Sequence, residues 1–297
     1  MPSVNSNHQY ARPLKPGEMP IYDEALAYIQ RDKEEKIILL RKAREQLEKA
    51  SEEQEKSTIK ESVEGLEVAS EINDTETRWK FKMGLADMSK PVFRYLAEQA
   101  WRQDGRLGIL MQRVTQMHIV PDLLGTVDPD VDLQVLVEDG IVDPGVYLKP
   151  QQTITPPTIR AQVYHPEERL YTLLFLDPDS PNPSKDTYKT ALHWALLDIP
   201  LSSVSSSISA SAGTTLQEYI PPHPQRGTPH HRYTFILYAQ PSPISASNAR
   251  LITSEEAGFD TQAFVATHKL SPVGVHFFRE EWDEQVSTIY KDHLREF

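Results

Sequence analysis

The chain has 297 residues, 39% hydrophobic and 25% charged, enough for one large domain or two smaller ones. It has no cysteine, which excludes disulfides, thiol catalysis and cysteine-ligated zinc. Its formal net charge of −12 argues against indiscriminate nucleic-acid binding while leaving room for a local basic patch, and no apolar run approaches the ~18 residues of a membrane span.

Residues 1–20 hold four prolines and little apolar content, and read as an extended N-terminal arm. The first 17 residues carry Arg12 and Lys15 and no acid. They lack the apolar run of a secretory signal and the amphipathic pattern of a transit peptide.

Residues 21–125 are predicted to form a helical extension. Asp23 and Glu24 sit where a helix start favours acids. Leu26, Ile29, Leu40, Ala43, Leu47 and Ala50 follow heptad-like spacing, interrupted by Lys33 and Lys36, and Glu45/Lys49 and Glu52/Lys56 are favourably ordered pairs four residues apart. These features predict one long helix over about 21–70, either solvated with one apolar stripe or lying on a partner.

The next stretch, 78–120, sets eight basic residues against three acids: Arg78, Lys80, Lys82, Lys90, Arg94, Arg102, Arg106 and Arg113 against Asp87, Glu98 and Asp104. Trp79, Phe81, Phe93, Tyr95 and Trp101 are interleaved. Ser89 is a candidate cap for a helix with Pro91 in its first turn, and a second helix is predicted through Leu107, Leu110, Met111 and Val114. Two readings stand: a helical hairpin with a small aromatic core and solvated charges, or a surface for RNA phosphates or a partner.

From about residue 126 the period shortens to two. Val131–Val137, Ile159–Tyr164, Leu170–Leu176, Leu192–Ile199 and Arg232–Ala239 read as strands bounded by Pro, Gly and Asp. A Ser/Ala-rich stretch, 202–214, reads as a flexible surface loop. Helical pattern returns at Thr261–Ala266 and in a terminal segment where Trp282, Val286, Ile289 and Tyr290 share a face. The fold expectation is mainly β, with a C-terminal helix, over 126–297.

Within this domain, "LDPDSP" places Asp177 and Asp179 at the end of a strand, stiffened by prolines. His193 follows in the next apolar run, and "PHHRY" brings His231 and Tyr233 to the start of another strand. A carboxylate can fix an imidazole tautomer and leave the other nitrogen facing a pocket. Imidazoles with a tyrosine hydroxyl would suit a phosphate-like anion. Each piece also has a structural reading, as a turn or a satisfied core histidine. No H-x-x-x-H spacing supports a metal site, and no G-x-S-x-G supports a serine hydrolase.

The stretch "YTLLFLDPDSP…HWALLDIP…LQEYIPPHPQRGTPHHRYTFILYAQ", with "VDPGVYLKPQQTITPPTI" before it and "FVATHKLSPVGVHFF" after it, resembles the phosphatidylethanolamine-binding protein family, which includes Raf kinase inhibitor proteins. The resemblance covers about 128–297. It implies a β-sandwich with a small anion pocket at Asp177, Asp179, Pro181, His193, His231 and Tyr233. Three departures accompany it: Ala191 where the family usually carries a tryptophan, Pro229 where it has a glycine, and Gln285 where a terminal-helix tyrosine is common. They imply a pocket that persists as framework with degenerate ligand binding.

The extension ahead of this domain, with "RPL" at Arg12–Leu14 and the YDEAL helix, resembles fungal mitochondrial large-subunit ribosomal proteins built on the same fold. That resemblance implies a structural component of the mitochondrial ribosome in the matrix, not an enzyme, with no cofactor and no metal. Its partners would be other mitochondrial ribosomal proteins, and ribosomal RNA through the eight basic residues of the extension. The competing expectation is a phosphatidylethanolamine- or phosphate-binding regulator or kinase inhibitor.

Overall fold

The computed structural model describes residues 9–138, 140–245, 249, 253–254 and 258–294, so the first eight residues of the predicted arm lie outside the description. The chain divides into two compact units, Met1–Ala100 and Trp101–Phe297.

In the first unit the predicted helix over 21–70 is two helices, α1 (Pro20–Lys49) and α2 (Glu53–Glu71). Ala50 and Glu52 adopt extended backbone and end the run, so Glu52 caps α2 and its pair with Lys56 does not span a continuous helix. Arg44 pairs with Glu67 at 2.6 Å and Lys33 with Asp74 at 3.2 Å, an order that makes the hairpin antiparallel. The stripe is thus turned inward: Leu40 and Ala43 are buried, and the interrupting Lys33 has its own acid across the hairpin.

Asp74 also caps α3 (Thr75–Lys82), accepting from the Thr77 N–H at 3.0 Å. The start of α4 (Pro91–Gln103) buries Val92, Phe93 and Leu96 against Ile72, Phe81, Ala86 and Met88. The predicted cap Ser89 instead donates its hydroxyl to Asp87 at 2.6 Å. The described part of the arm is pinned. Tyr10 donates to Thr75 Oγ1 at 2.9 Å, Arg12 pairs with Asp23, and the Gly17 N–H donates to Asp23 at 2.8 Å.

The second unit begins in the last turn of α4 and continues through α5 (Arg106–Gln116) and α6 (Ile119–Asp122). The strands follow: β1 (Asp132–Val137), β2 (Gly140–Ile141), β3 (Thr158–Gln162), β4 (Arg169–Asn182), β5 (Thr187–Leu201), β6 (Ser207–Ile208), β7 (Thr214–Gln217), β8 (His231–Gln240), β9 (Thr253–Ser254), β10 (Gly258–Phe259) and β11 (Ser271–Glu280). Helix α7 (Thr261–His268) precedes β11, and α8 (Glu284–Ile289) follows it.

A small sheet runs β2-β1-β3-β6, and a large one runs β11-β8-β4-β5-β10-β9 with β7 also on β5. One apolar core joins Val135 and Ile159 of the small sheet to Phe175, Leu196 and Phe235 of the large sheet, which makes a sandwich. A second core covers the other face of the large sheet with Leu110, Val114, Ile119, Leu123 and Phe264. Helices α5 and α6 therefore belong with the sheets, and the division expected at 125/126 falls at 100/101.

The stretch read as a flexible loop, 202–214, supplies β6 and the start of β7, with Ile208 buried. Its small residues permit close approach: a Cβ at Gly213 would collide with the Leu197 carbonyl oxygen. Among the described residues no helix is long and apolar enough to cross a membrane.

Candidate functional site

Irregularities in the central ladder aim the predicted side chains. Between β4 and β5, Phe175 pairs with Trp194 and Leu176 with Leu192, so His193 is skipped by the register; a second irregularity lies between Asp177 and Ser180. On the other side of β4, β8 begins at His231, opposite Glu280 of β11. Asp177, His193, His231, Tyr233 and Glu280 are all buried, at most 2% exposed.

His231 Nδ1 lies 2.7 Å from Asp177 Oδ2, and its Nε2 lies 2.8 Å from Thr228 Oγ1, so both ring nitrogens are engaged. His193 Nδ1 donates to the Ile220 carbonyl at 2.9 Å, since a carbonyl can only accept. Its Nε2 is therefore a bare lone pair, buried without a partner among the described residues. Burial, with His223 nearby, pulls the His193 pKa down to about 4. The ring is neutral at pH 7, with its N–H already spent. The Tyr233 hydroxyl accepts the His223 N–H at 3.2 Å, and burial raises its pKa well above the ordinary value.

Two of the expected pocket residues have other surroundings. Asp179 is clamped by Arg232, whose backbone N–H, Nε and Nη2 donate at 2.9, 2.8 and 2.7 Å. Arg232 also reaches the Met117 carbonyl and Asp122, both at 2.8 Å, which ties β8 to the α5–α6 segment. Asp179 is thus a structural counter-ion. Pro181 lies further along β4, opposite Tyr188.

The sequence reading missed several members of the cluster. Thr153 donates to Glu280 Oε1 at 2.7 Å, and Tyr219 donates to the Thr153 carbonyl at 2.7 Å. Burial lifts the Glu280 pKa to about 8, opposed by the Thr153 hydroxyl, so it is mostly protonated at pH 7. No local signal marks Glu280: in sequence it is one acid in a charged run. Aromatic walls also come from elsewhere than expected. Gln285 is exposed, but Tyr290 meets His223 edge-on at 5.6 Å; Trp194, three residues past Ala191, meets Tyr219 edge-on at 5.6 Å.

Within the cluster, the His231 ring nitrogens face Asp177 and Thr228, the His193 Nδ1–H is spent on a backbone carbonyl, and His193 Nε2 presents a lone pair. Among the described residues no group of three or more His, Asp or Glu could hold a metal ion.

The eight basic residues are divided between the units. Arg78, Lys80, Lys82, Lys90 and Arg94 belong to the first, and Arg102, Arg106 and Arg113 to the second. Arg94 is not a surface contact: it is 4% exposed, donating to Glu64 at 2.5 Å and to the Ser89 carbonyl at 2.7 Å. Lys80 pairs with Glu76, Arg102 with Asp130, and Arg106 with Asp104 and Asp132. Arg78, Lys82, Lys90 and Arg113 are exposed.

The family model for phosphatidylethanolamine-binding proteins matches residues 138–284. The chain is 30% identical over 236 residues to the large ribosomal subunit protein mL38 of Schizosaccharomyces pombe, covering 78% of this chain and 75% of that protein. It is 29% identical over 164 residues to the MOTHER of FT and TFL1 homolog 2 of Oryza sativa subsp. japonica, covering 55% of this chain and 88% of that protein. Among solved structures, the carboxypeptidase Y inhibitor in complex with its cognate proteinase superposes with a TM-score of 0.51 at 23% identity, covering 58% of this chain and 94% of the inhibitor chain. This last likeness is one of fold.

Proposed function

The chain belongs to the phosphatidylethanolamine-binding protein family, related over most of its length to mL38, and from that premise we propose that it is a structural component of the large subunit of the mitochondrial ribosome. The observation that carries this reading is the extent of the match. At 236 residues it is longer than the whole sheet unit, Trp101–Phe297, so it takes in part of the helical unit that ordinary family members do not need.

In this reading the protein is not an enzyme. Its partners are other mitochondrial ribosomal proteins, with ribosomal RNA reached through the exposed basic residues Arg78, Lys82, Lys90 and Arg113. The family pocket serves as framework: an imidazole–carboxylate pair buried with its hydrogen bonds made holds β4 to β8.

Sucrose-gradient sedimentation of the tagged chain from mitochondrial lysate tests the assembly. Co-migration with the large subunit at moderate salt is expected; migration only at the top of the gradient overturns the reading. Calorimetric titration with phosphoethanolamine tests the pocket separately. Absence of saturable binding is expected, and micromolar affinity would favour a headgroup-binding regulator instead.

A further inference from the structure

Glu280 is the last residue of β11 and is completely buried. It pairs with His231 across the β8–β11 ladder, as Phe278 pairs with Tyr233. Directly opposed residues of antiparallel strands point to one face, and so do residues two apart on a strand. Glu280, His231 and Tyr233 therefore project together. Their face is the inner one, since Tyr233 and Phe278 stack at 5.8 Å within the core between the two sheets. From across this space the 3-10 turn Pro150–Thr153 meets Glu280, and Thr153, itself completely buried, donates its hydroxyl to Oε1 at 2.7 Å.

These surroundings suit an acid in its neutral form. The charges that act on Glu280 are those of Asp177 on β4 and Asp283 ahead of α8, and both are negative. On β8, His231 is engaged by Asp177 and Thr228, and the Tyr233 hydroxyl accepts the His223 N–H. Tyr219 spends its own hydroxyl on the Thr153 carbonyl. One hydroxyl donor, two repelling carboxylates and no water favour a carboxylic acid over a carboxylate or a phosphate.

We infer that Glu280 is a built-in ligand of the histidine cluster: its carboxyl, held by Thr153 on the face shared with His231 and Tyr233, fills the buried end of the family pocket in cis and closes it to external acids and anions. The inference rests on the reading of that pocket as framework and not on the ribosomal assignment.

The test is chemical complementation. Glu280→Ala removes Cγ and the carboxyl, which together have the skeleton of acetic acid. Unfolding midpoints in urea are measured for the full-length parent, Glu280→Ala and Glu280→Gln over rising sodium acetate, with sodium chloride as the ionic-strength match. Acetate should stabilise Glu280→Ala saturably and leave the parent and Glu280→Gln unchanged. Because the neutral acid is the form taken up, the acetate concentration at half-effect should rise about tenfold for each unit of pH above about 5. Adding Thr153→Val to Glu280→Ala should weaken the effect about threefold to tenfold through loss of the hydroxyl donor. Equal stabilisation of all three chains overturns the inference, since acetate would then act elsewhere. So does a folded Glu280→Ala that acetate leaves unchanged. If Glu280→Ala folds at no acetate concentration, the parent decides: its infrared spectrum at pH 6.5 should hold a protonated carboxyl band that Glu280→Gln removes, and absence of that band overturns the inference. Phosphoethanolamine binding by the parent would overturn the framework reading and this inference with it. An acetate effect missing from folded Glu280→Ala, in a parent that ignores phosphoethanolamine, overturns this inference alone.

Discussion

The helical unit buries few large side chains: Leu40 on α1, then Val92, Phe93 and Leu96 at the start of α4. Its hairpin is tied along its length by ion pairs such as Arg44–Glu67 and Lys33–Asp74. The sheet unit has two cores, one on each face of its large sheet, and Phe175, Phe235, Tyr233, Phe277 and Phe278 are each completely buried. Exposed ion pairs contribute only about 0–1 kcal/mol each, whereas burying one aromatic ring contributes roughly 1.5–3 kcal/mol. The sheet unit therefore carries its own stability. The helical unit keeps exposed apolar residues on α1, Ile21 at 74% and Tyr28 at 66% among them, as expected of an element completed by a partner.

Removing residues 1–100 is the most severe way to break this contrast. The remaining sheet unit should stay folded, with a cooperative unfolding transition, and should lose co-sedimentation with large subunits. Undiminished co-sedimentation would move the attachment to the sheet unit. The cut belongs at residue 100, since one made after residue 120 would strip Leu110, Val114 and Ile119 from the second core.

Next in size is the core itself. Phe175 stacks on Phe235 at 4.0 Å between centroids and is completely buried. Phe175→Ala should cost about 3–5 kcal/mol in denaturant unfolding, and a loss below 1 kcal/mol would show the sandwich to be looser than its packing implies.

The sheet unit should also respond to pH in two opposite windows. Burial lowers the pKa of His193 and of His276 from 6.5 to about 4. The unfolded chain takes up those protons near pH 6.5 and the folded chain only near 4. Stability is therefore lost as pH falls from 6.5 to 4, by on the order of 3 kcal/mol for each ring. Burial raises Glu280 from 4.5 to about 8, so here the folded chain holds a proton that the unfolded chain has released. Its contribution falls as pH rises from 4.5 to 8. Glu280→Gln should flatten that decline in urea unfolding at pH 5, 6.5 and 8; an unaltered slope would mean the carboxyl ionises freely.

In the helical unit, Arg94→Met should cost about 1–3 kcal/mol, because the Ser89 carbonyl and Glu64 lose a buried, charge-assisted donor. Its subunit association should hold its salt dependence. The smallest effect is expected for Arg78→Glu combined with Lys82→Glu. Stability should stay within about 0.5 kcal/mol of the parent. If both residues contact phosphates, the slope of log affinity against log salt should fall by roughly 0.7–0.9 for each. An unchanged slope would leave the helical unit with protein contacts alone.

The amino-acid sequence by itself determined what short-range periodicity and composition can carry. The period-two runs located β1, β3, β4, β5 and β8, and the order of Asp177, His193, His231 and Tyr233 marked the cluster, because strand alternation and proline-stiffened turns act within a few residues. Tertiary structure decided what depends on partners distant in the chain. The break at Ala50–Glu52 turns one continuous-looking apolar stripe into two helices, α2 folding back on α1. Arg94 looks like its basic neighbours until Glu64 and the Ser89 carbonyl enclose it. Asp179 looks like Asp177 until Arg232 claims it, and Glu280 is an ordinary acid until β8 places His231 opposite and burial takes away the water that would keep it charged. Charge and hydrogen-bonding state are properties of the environment, and the environment is assembled only when segments some 30 to 130 residues apart come into contact.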